Sequence, residues 1–331
     1  MNFRLTPDQQ DLQAAIAGWA AGKHDAARVR ALAENGGGAD AVRAELVALG
    51  LPALLVPEEH GGLGLSLVDG VLAAIEMGRA CVSDPLVETA LVAAPWLARH
   101  GSGRALAEIA RGEAVIALAH PVNPWVANLD SADWVIAGTM LRRPADLPHA
   151  PLESVDPLRR LFAVEVLEGD PLLLDIAALV SAAQLVGLAE AMLAMATAYA
   201  GERAQFGKPI GSFQAVKHLL ADVALAIAFA RPVLLRAAAA LDAGDALAPI
   251  HVSHAKRAAG DAAQVAGEHA IQVHGAMGYT YEVDLHFWMK RAWALTGAWG
   301  DRAFHTARVE DALLSGAVPT GPHHTFASEA A

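Results

Sequence analysis

The stretch GERAQFGKPIGSFQ, residues 201–214, interrupts two long alanine- and leucine-rich runs with a charged arm, an aromatic residue, glycines and a proline. Glycine and proline so placed end one helix and begin the next. The flanking runs, 172–200 and 212–242, read as helices, and two more, 250–274 and 284–315, follow breaks at DAGDA (242–246) and HGAMGY (274–279). Four long helices joined by short connections predict a four-helix bundle over 170–316, with 317–331 as a mobile tail.

Upstream of the bundle the texture changes twice. Residues 112–169 hold short β-type runs, AVIALAH (114–120), DWVIAG (133–138) and RLFAVEVL (160–167), which predict a small, shortened β domain. Within it, RPADLPHAPLESVDPL (143–158) reads as loop or partly disordered. Residues 1–111 read as a helical domain. Thr6-Pro7-Asp8-Gln9 has the form of a capping box opening a helix to about residue 22, and helical pieces at 40–49, 66–80, 87–99 and 103–111 surround the turn VPEEHGGLG (56–64). The fold class is mainly α.

Composition narrows the function classes. Hydrophobic residues make up 54% and charged residues 18%, more apolar than an ordinary globular surface accommodates, so other subunits are expected to cover part of it. A net charge of −12 argues against nucleic acid or an anionic membrane surface as the main partner. A single cysteine, Cys81, excludes an internal disulfide and fits a reducing cytoplasm. The opening MNFRLTPDQQ lacks the apolar core of a signal peptide. The most apolar segment, 172–200, has only fourteen residues between Asp175 and Glu190, too few to span a membrane, and reads as a helix buried inside the bundle.

Two stretches could carry chemistry. Around the first break, Arg203, Phe206 and Gln214 combine a guanidinium suited to a diphosphate with the free amides of a helix start; a solvated Arg at a helix end is the competing reading. In AIQVHGAMGYTYE (270–282), Gly275 and Gly278 allow close backbone approach and Gln272 can read a polar edge, although an interhelical turn explains the same residues. His251 and His254 have metal-ligand spacing, but no carboxylate or cysteine stands at a matching position, and His323-His324 lies in the tail; no metal site is expected. Serine-nucleophile, P-loop and dinucleotide motifs are absent.

Four stretches in order, MNFRLTPDQQDL (1–12), LGLPALLVPEEHGGLGLSLVDG (49–70), GERAQFGKPIGSFQAVKHLLAD (201–222) and AIQVHGAMGYTYEVDLH (270–286), together resemble the acyl-CoA dehydrogenase family over nearly the whole chain. The resemblance implies a helical N-terminal domain, a β middle domain and a C-terminal four-helix bundle, assembled as a dimer or tetramer around FAD. It implies α,β-dehydrogenation of an acyl-CoA thioester, in which a carboxylate removes the α-proton while the β-hydride passes to flavin and then to an electron-transfer flavoprotein. It also assigns cofactor contacts to Arg203, Phe206, Gln214, Gln272 and Gly275, of which Arg203, Phe206 and Gln272 reach the adenosine diphosphate part of a neighbour's FAD.

This chain departs from the family where its own flavin ring and substrate would sit. Ala119-His120-Pro121 replaces a Thr-Glu-Pro-like turn, and Asp175-Ile176-Ala177-Ala178 keeps the Asp of a substrate-side Asp-x-x-Arg without its Arg. Trp299-Gly300-Asp301 stands at the Glu-Gly-Thr turn that carries the usual base, and Ala177 at the alternative base position. Asp301 and Glu282 are the nearby carboxylates. The pattern resembles the smaller, non-catalytic subunit of two-gene enzymes of lipid or sterol catabolism, assembled two plus two with a second acyl-CoA dehydrogenase chain. A self-sufficient homo-oligomer using Asp301 or Glu282, and a flavin-free scaffold subunit, are the competing readings.

Overall fold

In the computed structural model, which describes residues 4–35 and 39–321, Thr6 caps α1 (Pro7–Lys23). Its hydroxyl accepts from the Gln9 amide at 3.3 Å while Gln9 Oε1 accepts from the Thr6 amide at 3.1 Å, the reciprocal box read from the sequence. α2 (Ala26–Asn35) was not anticipated; its signal is Asp25, whose carboxylate accepts from the Arg28 amide at 2.9 Å. α3 (Ala39–Ala48) leads into the 56–64 turn, where a Cβ on Gly62 would lie 1.9 Å from the Val56 carbonyl oxygen, so only glycine fits. α4 (Leu67–Arg79) opens on a second capping box, Ser66 with Asp69. α5 (Leu86–Glu88), a π-helical turn (Thr89–Ala93) and α6 (Ala94–His100) follow without interruption, then α7 (Gly103–Ala110).

Six strands form the middle region: β1 (Ile116–Ala119), β2 (Trp125–Ala127), β3 (Trp134–Ala137), β4 (Met140–Arg142), β5 (His149–Leu152) and β6 (Leu161–Val164). They make two three-stranded sheets, β1-β3-β4 and β2-β6-β5. β1 and β3 pair in parallel, Ile116 opposite Trp134, while every other pair in the two sheets is antiparallel. Ala117, Val126, Val135 and Val164 build a small core of their own here. The stretch 143–158, expected as loop or partly disordered, holds a 3-10 turn (Pro144–Asp146) and β5, because β6 supplies a partner strand that local sequence does not reveal.

The bundle consists of α8 (Pro171–Glu202), α9 (Gln214–Asp242), α10 (Ala248–His274), α11 (Leu285–Gly297) and α12 (Arg302–Leu314), with a hairpin of β7 (Ala204–Gln205) and β8 (Lys208–Pro209) between α8 and α9. The single helix expected at 284–315 is therefore two. The chain breaks at Trp299 and Gly300, which lie at φ 59° and 88°, and Asp301 restarts it by accepting from the Phe304 amide at 2.8 Å. From 322 onward the expected mobile tail, with His323 and His324, lies outside the described residues.

α8 and α9 both have the length and hydropathy of a membrane span, Asp175 and Glu190 notwithstanding, but α8's most apolar stretch is 94% buried in the protein, the mark of a core helix. α9's is 22% buried, and Leu225 and Phe229 stand exposed on it. α4 crosses α8 at two glycines: a Cβ on Gly187 would lie 1.9 Å from the Ile75 carbonyl oxygen, and one on Gly78 2.2 Å from that of Gln184. Beside the crossing, Glu190 accepts from Arg79 of α4 and Arg231 of α9, tying three helices together. Gly187→Ala is expected to destabilise the protein by about 3 kcal/mol, since backbone on both sides must move apart. Gly22→Ala, at a helical position with open space around it, is expected to leave stability unchanged or slightly raised. Urea unfolding of the two variants checks the contrast.

Candidate functional site

The break at 201–214 is an exposed arm. α8 ends at Arg203, whose amide donates to the Tyr199 carbonyl at 2.9 Å and whose carbonyl accepts from the Ile210 amide at 2.8 Å. The two-residue turn of the hairpin is Phe206-Gly207 at φ 51° and 79°, the left-handed pair that suits a tight hairpin. Phe206 is 91% exposed, with an edge contact to Phe213. Gln214 opens α9 and is exposed, as are Arg203, Gln272 and Gly275. The Tyr199 ring stacks on His274 at 4.4 Å, and His269 Nδ1 lies 2.9 Å from the Leu219 carbonyl oxygen, so the end of α8, the start of α9 and the end of α10 meet. The fold thereby brings Arg203, Phe206, Gln214, Gln272 and Gly275 to one end of the bundle, beside a groove of 530 Å³ lined by Leu193, Pro209, Lys217 and Leu220.

The second constellation is buried. Trp299 is 3% exposed, its amide donates to Asn123 Oδ1 at 2.8 Å, and its ring faces His120 with centroids 6.3 Å apart. The His120 imidazole occupies space that only glycine at 169 leaves free, since a Cβ there would lie 2.3 Å from its Nε2. Burial lowers its pKa, against an upward pull from Asp170. The Trp299 carbonyl can only accept, so His305 Nε2, 2.9 Å away, carries the proton, and His305 Nδ1 meets the Ser253 hydroxyl at 3.1 Å. Behind them Lys256 Nζ donates to the carbonyls of Leu295 at 2.9 Å, Thr296 at 3.0 Å and Gly300 at 3.4 Å, closing the C-terminus of α11. Burial lowers the pKa of Lys256 to about 7 and of His305 to about 4.

The remaining sequence-predicted residues sit apart from any such cradle. Ala177 and Ala178 are buried and carry no polar side-chain atom. Asp175 is buried, and its Oδ1 accepts from Arg308 of α12 at 2.6 Å; burial raises its pKa against the pull of Arg308. Asp175 thus has a guanidinium partner from 133 residues further along rather than from position 178. Asp301 serves as the α12 cap, and Glu282 is exposed beyond the glycine turn. Sequence reading missed Asn123, Lys256, His305 and Arg308. Lys256 had a signal: it follows Val252 and Ala255 and precedes Ala259 on an otherwise apolar helix face.

The chain matches the family model of the acyl-CoA dehydrogenase N-terminal domain over residues 6–113 and that of the acyl-CoA dehydrogenase C-terminal domain over 173–314. It is 38% identical to acyl-CoA dehydrogenase IpdE2 of Mycobacterium tuberculosis over 87% of this chain and 92% of that one. In fold it is similar to the ChsE4–ChsE5 complex of the same organism, with a TM-score of 0.84, 21% identity, and coverage of 97% of this chain and 100% of that chain. A further fold likeness is to the steroid acyl-CoA dehydrogenase Tcur3481–Tcur3483, with a TM-score of 0.83, 23% identity, and coverage of 94% and 98%.

The buried bases around Trp299 make stability depend on pH. His305 and Lys256 both have folded pKa values below their ordinary ones, so the unfolded chain binds more protons and stability rises with pH. The rise attributable to His305 falls between pH 4 and 6.5, and that attributable to Lys256 between pH 7 and 10.5. Each is limited to about 1.4 kcal/mol per pH unit. Urea midpoints measured across these windows are expected to climb in both, with His305→Gln reducing but not abolishing the rise in the lower window, since burial also lowers the pKa of His24 to about 4, and with Lys256→Met reducing the rise in the upper.

Proposed function

The chain belongs to the acyl-CoA dehydrogenase family, and on that premise we propose that it is the subunit of a heteromeric FAD-dependent enzyme that lends adenosine-diphosphate contacts to a partner chain carrying the catalytic base. One observation carries the reading: at the turn where the family's usual base would stand, a buried Trp299 is held by Asn123 and His305. A base must come within hydrogen-bond reach of the proton it removes. Asp301 is committed to its helix cap and Glu282 faces outward, which disfavours both as substitutes.

The exposed arm has the donor set for the cofactor's diphosphate end. Arg203 offers a guanidinium fork and Gln214 and Gln272 amide donors, while Phe206 presents an uncovered ring and Gly275 a bare backbone at φ 62°. All of them are exposed on this chain, which supports service to a neighbour. Bound FAD accepts the β-hydride of the CoA thioester. This chain's part is to hold the cofactor, exclude water from its far end and present an apolar α9 face to the assembly, two chains of each kind, which passes electrons to an electron-transfer flavoprotein. The proposed substrate class is a lipid- or sterol-derived acyl-CoA, in keeping with the fold likeness to a steroid acyl-CoA dehydrogenase.

Expressed alone, the chain is expected to bind little or no FAD, and with its partner about one FAD for each pair of chains, because one of every two related sites is complete. FAD in every subunit of a homo-oligomer would overturn the reading in favour of a self-sufficient enzyme; no flavin in either preparation would favour the scaffold. In the assembled complex, Arg203→Ala is expected to lower FAD retention about tenfold with the fold intact, as read by absorbance after gel filtration. Asp301→Asn and Glu282→Gln are each expected to leave turnover within roughly tenfold of the parent, whereas loss of a true base costs on the order of a hundredfold.

A further inference from the structure

Between the N-terminal helices and the middle region lies a cleft of 340 Å³, walled by Val42, Arg43, Pro85, Asn128, Leu158 and Arg160. Ser83, Asp84, Pro85 and Asn128 are shared with a narrower floor of 20 Å³, room for one water-sized group. Three polar side chains line that floor while more than nine-tenths buried: Arg159 is 8% exposed, Arg291 5% and Gln184 8%. Arg291 uses Nε on Asp156 and donates Nη1 to the Val82 carbonyl at 2.9 Å, but its buried Nη2 has no hydrogen-bond partner among the described residues. The one ion-pair contact of Arg159, to Glu88, is long at 3.9 Å.

A buried guanidinium N–H without an acceptor leaves its desolvation cost uncompensated. The groups facing this space are Arg43, Arg159, Arg160 and Arg291 against Asp84 and Glu88, with Asp156 behind Arg291 and Asp130 beside Arg160. Two of these carboxylates, Asp84 and Glu88, stand in the lining itself, while Asp156 and Asp130 pair with Arg291 and Arg160 from outside it. At the floor the Nη2 donor of Arg291 is unsatisfied, and a guanidinium fork matches a carboxylate oxygen. Towards the mouth the walls turn apolar at Val42, Pro85 and Leu158.

We propose that this cleft binds a small organic acid, one carboxylate oxygen entering the water-sized floor towards Arg159 and the Nη2 of Arg291, its short apolar body along Val42, Pro85 and Leu158. The inference does not rest on which chain carries the base. The test is titration calorimetry of the assembled protein with sodium hexanoate, and with 1-hexanol as the uncharged match. Hexanoate is expected to bind saturably and hexanol not at all. Arg291 also anchors Asp156, so the informative variants are Arg159→Gln and Gln184→Leu, with unchanged melting confirming the fold. Arg159→Gln is expected to weaken hexanoate at least about tenfold, Gln184→Leu to weaken it less, and Arg104→Gln, on the exposed face of α7, to bind like the parent. Equal affinity in folded Arg159→Gln, no saturable binding, or a crystal grown with hexanoate that shows only ordered water at Arg291 Nη2 would each overturn the proposal.

Discussion

A helix apolar on every side has to be covered on every side, and α8 imposes that demand on the rest of the chain. From Leu173 to Ala189 every residue is buried, so α4 and α9–α11 are arranged around it. Close cover requires small residues at the crossing, which Gly78 and Gly187 provide, letting the α4 and α8 backbones approach nearer than any side chain would permit. The few charges near this core are neutralised where they stand: Glu190 by Arg79 and Arg231, Asp175 by Arg308. Partly buried pairs of this kind favour one facing of the helices, and with it the common end at which Arg203 and Gln272 are displayed.

Much of the fold was legible because local chemistry announces itself. Thr6 with Gln9 and the Gly/Pro break at 207–211 are devices whose effect is complete within a few residues. What escaped depends on partners distant in sequence. β5 exists only because β6 pairs with it, and α2 is a short helix whose cap, Asp25, is not backed by a long apolar period. The helix break at Trp299-Gly300 was implied by the turn that the family resemblance places there, whereas periodicity alone ran one helix through it, since it does not register a left-handed backbone at a tryptophan. The arm residues were readable one by one, but their meeting at one end depends on the Tyr199–His274 stack. His305 and Arg308 were unreadable for a related reason, since they meet Ser253 and Asp175, 52 and 133 residues away, while Lys256 stood out on its apolar face but caps carbonyls 39 to 44 residues further on.

The tryptophan turn also restricts what sequence change can do. His120 leans towards Trp299 from the β region, Asn123 holds its amide, His305 its carbonyl, and Lys256 the helix end before it. A carboxylate placed at 299 would inherit a buried niche shaped for an indole, leave a void where the ring had been, and be driven towards its neutral form. It would also keep the left-handed backbone at φ 59°. Fitting an acid–base group there would require matching changes in the 119–123 turn, in α10 and in α12, whose side chains now hold the tryptophan turn. The interlocked turn therefore works as a ratchet: once assembled, it resists any single replacement at Trp299.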